Sequence, residues 1–139
     1  MRFMLFMYPG DYAAGETGTP TAEAVAAMSR FNEELTRAGV LLALDGLHPP
    51  TEGARVRYAG GSPTVVDGPF AEAKEVLGGY WVIDVRSKEE AVAWATKIPA
   101  AESDVVEVRR VYEMSDFPAD VQEAAGELSR VPAEQTQAR

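Results

Sequence analysis

Residues 2–8 and 80–85 are apolar at odd and even positions alike: Phe3, Met4, Leu5, Phe6 and Met7 in the first run, Trp81, Val82, Ile83 and Val85 in the second. In an extended chain successive side chains point to opposite faces, so each run would present two oily faces. Neither is long enough to span a bilayer, which takes about 20 apolar residues as a helix. Pro9 and Gly10 stop the first run short of a secretory leader, whose apolar segment of about 7–15 residues precedes a small-residue cleavage site. Both runs therefore read as inner strands of a sheet covered on its two sides. One layer of helices covers one side. The cheapest cover for the other is a second copy of the same sheet, so the pattern predicts a homodimer with sheets face to face.

The intervening chain supplies the helices. Val25, Met28, Phe31 or Asn32, Leu35 and Ala38 recur at three- and four-residue steps, with Glu23, Arg30, Glu33, Glu34 and Arg37 opposite. Thr19 and Pro20 give this helix a cap and a first residue, and Gly39 gives it a left-handed end. Residues 40–44 form a short strand that stops before Pro49 and Pro50. Residues 54–58 and 64–66 read as a hairpin that sends Arg55 and Arg57 to solvent. Ser87 and Glu90 match a capping box ahead of Ala91, Val92, Trp94, Ala95 and Ile98. Residues 105–112 alternate as a last strand. The order β-α-β, hairpin, β-α-β places the chain in the α+β class, as a ferredoxin-like sandwich over residues 1–114.

At 139 residues, one domain of this kind fits with an extension over residues 115–139. From Glu113 onward six acids stand against two bases, and the extension reads as one weak helix after Pro118 and then a loose tail. The net charge of −9 and the lack of a basic stripe speak against nucleic acid as a partner. The chain has no cysteine and therefore no disulfide or thiolate site, which fits a cytoplasmic setting. No phosphate-cradling glycine pattern is present, and one histidine without cysteine makes a poor zinc site, so no cofactor or metal is expected.

One segment is more specific than the rest. Val65, Val66, Asp67, Gly68, Pro69, Phe70, Ala71, Glu72, Ala73, Lys74 and Glu75 run on to Leu77, Gly78, Gly79 and Tyr80. This stretch resembles the DGPF-type proteins of the YCII-related family, in the Asp-Gly-Pro-Phe step, the acidic-Lys-Glu segment and the Gly-Gly-Tyr approach to a strand. The resemblance covers residues 1–112. It implies a ferredoxin-like fold and a dimeric α/β barrel. The wider family includes a chloromuconate-type dehydrochlorinase for which a His–Asp pair has been proposed as the active centre. Ala73 stands where Thr is usual, and His48 where Gln is more often expected.

The residues themselves offer a matching site. His48 is the only histidine, hence the one side chain that titrates near neutrality unaided, and it stands where a strand opens into a loop. Asp67 closes the neighbouring hairpin and would hold one ring nitrogen while the other takes a proton. Phe70 and Tyr80 would line the pocket, and Glu72 and Lys74 would meet a carboxylate. Each feature also has a plainer reading. His48 can be a surface histidine, Asp67 and Gly68 can be turn residues with Gly68 at positive φ, and Lys74 can form solvated ion pairs with its neighbours. The expected activity is proton abstraction, with elimination or isomerisation of a small organic acid. The alternative is a non-catalytic dimeric ligand-binding or regulatory module.

Overall fold

A computed structural model describes residues 1–13, 20–70 and 75–126. Among these described residues six strands form: β1 (Arg2–Tyr8), β2 (Leu41–Gly46), β3 (Ala54–Ala59), β4 (Ser62–Asp67), β5 (Gly79–Asp84) and β6 (Val105–Arg110). The helices are a single turn, α1 (Gly10–Ala13), then α2 (Ala22–Arg37), α3 (Lys88–Ala95) and α4 (Ala119–Ala125). Four strands make one antiparallel sheet in the order β2-β5-β1-β6, while β3 and β4 pair only with each other. The protein is thus α+β, and its strand order is compatible with the ferredoxin-like arrangement. The sheet is open, with β2 and β6 at its edges.

The double-sided pattern of β1 sorts as its period of two requires. Phe3, Leu5 and Met7 are buried, and so are their neighbours Trp81 and Ile83 on β5. From above them α2 inserts Phe31 and Leu35, and α3 inserts Ala91. Phe31 meets the Trp81 ring edge-on at 5.8 Å between centroids, and the Trp81 indole N–H donates to Asn32 Oδ1 at 2.9 Å. The buried aromatic thus keeps its one polar atom satisfied. Each large side chain in this layer contributes about 1.5–3 kcal/mol by leaving water.

The other sheet face holds Met4, Phe6 and Tyr8 beside Tyr80 and Val82, all half-buried, while α2 and α3 lie on the opposite side. Arg2, Asp84, Glu107 and Arg109 ring this apolar strip. No helix among the described residues is long and apolar enough to cross a membrane.

Local signals fall close to where the sequence places them, with two shifts. The cap of α2 is Thr21, whose hydroxyl accepts from Ala24 N at 3.1 Å, so the helix begins two residues later than Thr19 and Pro20 suggest. Thr19 itself lies outside the described residues, as do residues 127–139 of the tail. Ser87 accepts from Glu90 N at 3.1 Å, but the Glu90 carboxylate turns back to Arg86 N rather than to its own cap. Gly39 closes α2 at φ 72°, as a left-handed end demands.

The start and end of the domain are tied together by one ion pair. Arg2 donates twice to Glu113, at 2.6 and 3.1 Å. This hydrogen-bonded pairing holds the Glu113 carboxyl below its ordinary range, against a smaller opposing effect of burial. A carboxylate lowered in the folded state adds stability above its unfolded pKa and loses it as pH falls through the folded pKa. Denaturant unfolding across the acid range should therefore show Glu113→Gln less stable than wild type at neutral pH, with the two curves converging as acid protonates Glu113. Parallel curves would mean the pair contributes nothing.

Candidate functional site

Between β2 and β5 the chain leaves the sheet and returns to it. Gly46 pairs with Gly79, and Leu47 N donates to the Gly78 carbonyl at 2.9 Å, closing the base of the excursion. Packing demands the first glycine of the return and tightens around the second. A Cβ on Gly78 would overlap the Pro9 ring, and one on Gly79 would crowd the Asp45 carbonyl at 3.0 Å. Gly78 N also donates to Met7 O at 2.8 Å, which anchors the return to the end of β1.

Inside the excursion, Pro50–Glu52 forms one tight turn, with Gly53 N bonded to Pro50 O at 3.0 Å. The β3–β4 hairpin then runs out and comes back, pairing Ala54 with Asp67. Every residue of the hairpin is exposed, including Val56, Tyr58 and Val65. Such a ribbon is marginal by itself, so its root matters. That root is Gly68, whose N–H donates to Gly53 O at 2.9 Å and whose Cα lies where a Cβ would overlap the Pro50 carbonyl. Gly68 is thus demanded by close approach. It does not have positive φ, which corrects the turn-residue reading.

The result is a cavity of about 460 Å³ at the end of the sheet. Leu47, Pro49, Pro50, Val76 and Leu77 give it apolar walls, and Tyr8 reaches it from the open sheet face. His48 and Phe70 line it as the sequence suggests. Arg55, Glu52 and Glu75 line it as well. Burial, with the negative charges of Glu107 and Glu75, pushes the Tyr8 phenol above its ordinary value.

Arg55 changes role. Its guanidinium carbon sits 4.0 Å from the centre of the Phe70 ring, so the side chain leans into the cavity wall instead of merely facing solvent. Contacts of this kind are worth about 0.5–1 kcal/mol at exposed sites. The sequence alternation of β3 showed that Arg55 and Arg57 share a face. It carried no sign that Phe70, fifteen residues later, would come back beneath one of them.

The remaining expected site residues are scattered. Asp67 ends β4, and its side chain makes no hydrogen bond or ion pair with His48. Tyr80 does not line the cavity. It lies on the open sheet face opposite Phe6, and its hydroxyl donates to Asp45 Oδ2 at 2.8 Å. That bond, followed by burial, raises the Tyr80 phenol above its ordinary value. Glu72 and Lys74 lie outside the described residues.

The fold is thus an antiparallel α+β sheet carrying an excursion that forms the walls of an open cavity lined by His48. A family model of the YCII-related domain matches residues 1–115, and the chain belongs to that family. It is also 33% identical over 96 residues to an uncharacterised protein of Rhizobium meliloti (strain 1021), covering 66% of this chain and 77% of that one.

Proposed function

We propose that this YCII-related protein is a homodimer of ferredoxin-like sandwiches, joined through their open sheet faces as a dimeric α/β barrel, in which each chain binds a small organic acid. The cavity carries the reading. It draws the chain's single histidine, an arginine and an aromatic ring to the end of the sheet, where Tyr8 connects them to the open face. Pockets with apolar walls and a few convergent polar groups are the usual form of a small-ligand site.

In this reading His48 takes a proton from the carbon beside the acid's carboxylate or carbonyl, and the electron pair left behind either forms a double bond as an anion leaves the next carbon, or takes the proton back from His48 at a different carbon. Asp67 would fix the imidazole tautomer. The two side chains are not bonded as they stand, and Asp67 is not among the residues that line the cavity. That unbonded state favours a second reading in which the same cavity binds its ligand without turning it over.

The imidazole midpoint, followed by NMR in wild type and Asp67→Asn, separates the two. The proton-transfer reading expects a lower His48 midpoint when the carboxylate is removed. A midpoint that ignores the substitution leaves ligand binding as the function. If a panel of small carboxylic acids at millimolar concentration leaves the His48 ring resonances unmoved, the cavity is not the site.

A further inference from the structure

Arg55 lines the cavity, contacts the Phe70 ring, and forms no hydrogen bond or ion pair with any described residue. A guanidinium carries a permanent charge and five N–H donors in a fixed fork, which suits the two oxygens of one carboxylate. Here that fork stands against an aromatic ring and beside the apolar walls of Leu47, Pro50 and Val76. Two acids, Glu52 and Glu75, line the same cavity without pairing with Arg55. They give the cavity negative charge apart from that guanidinium, and like charges brought together are a strong means of rejection.

The geometry points to Arg55 as the anion anchor of the cavity, with Phe70 as its platform and Glu52 and Glu75 as the filter. The preferred ligand is a monocarboxylate with an apolar, ring-sized body. This rests on the reading that the cavity binds a small organic acid, and narrows it. One carboxylate meets the arginine, the body fills the apolar wall against Phe70 and Val76, and a dicarboxylate of similar size is disfavoured. His48, which also lines the cavity, is then left for another part of the ligand.

Three probes built on one benzene ring test this: benzoate, phthalate and benzyl alcohol. Calorimetry gives affinity, and the His48 ring resonances report whether the probe is in the cavity. Benzoate should shift His48 and bind at least tenfold more tightly than benzyl alcohol. Arg55→Gln should weaken benzoate at least tenfold, and Arg55→Lys should restore part of the loss, since it keeps the charge without the fork. Phthalate should bind several-fold more weakly than benzoate to wild type and recover in Glu75→Gln. The wild-type comparison of benzoate with benzyl alcohol needs no variant and stands even if one folds poorly. Benzoate that shifts His48 yet binds Arg55→Gln as well as wild type would overturn the anchor while leaving the cavity in place. Benzoate that never shifts His48 would remove both.

Discussion

Gly68→Ala should lower the unfolding free energy by about 1–3 kcal/mol, the usual cost of forcing a methyl into packed structure, and should dismantle the cavity. The Cα of Gly68 faces the Pro50 carbonyl so closely that a Cβ cannot fit, and the second obstacle is the Gly53 carbonyl at 3.3 Å. Neither neighbour is the tip of a flexible side chain; both are backbone. Relief must come from moving the Pro50–Glu52 turn or the Asp67–Gly68 return. Either movement breaks the 2.9 Å bond from Gly68 N to Gly53 O that roots the hairpin. Arg55 would then leave Phe70, and His48 would lose a wall. Denaturant melts measure the first effect and loss of benzoate binding the second. A variant as stable as wild type with binding intact would show that the turn has slack the geometry does not suggest.

Phe6→Asp is expected to convert a dimer into a 15 kDa monomer. Phe6 lies in the middle of the open sheet face, between Tyr80 on β5 and Glu107 on β6. If two such faces meet, an aspartate there is buried without a partner, at a cost of several kcal/mol that a face-to-face interface cannot absorb. A lone protomer would tolerate the same change far better, because the half-buried position then still reaches water. Sedimentation at micromolar concentration reads the outcome directly. A wild type already monomeric there, or a variant that still dimerises, would place the interface elsewhere or remove it.

The secondary structure was legible wherever a local rule decides it. The three- and four-residue spacing of Met28, Phe31 and Leu35 fixes α2, and the alternation of Val106 and Val108 fixes β6. In the sequence the glycines at 78 and 79 mark only the approach to a strand, and the fold shows that Pro9 and the Asp45 backbone come close to them. Partnerships between distant segments were hidden. Which strands pair is settled by chain return and core burial, not by local pattern, so the isolation of β3–β4 from the main sheet carries no signature in its own residues. The same holds for the site. His48 and Phe70 could be found by residue type, but Tyr80 shares the face of Tyr8 without lining that cavity, its hydroxyl bonded to Asp45, and Arg55 enters it only because the chain doubles back at Gly68.

The hydrogen bond from Leu47 to Gly78, with the Gly46–Gly79 pair beneath it, has an evolutionary consequence. Nearly all the polar side chains that line the cavity, His48, Glu52, Arg55 and Glu75, sit on one stretch of chain whose two ends are stitched together at neighbouring strands. Such a cassette can be rewritten, lengthened or exchanged while the sheet and its helices keep folding as before. Relatives sharing this scaffold are therefore free to recognise unrelated molecules, and likeness of scaffold alone says little about what any one of them holds.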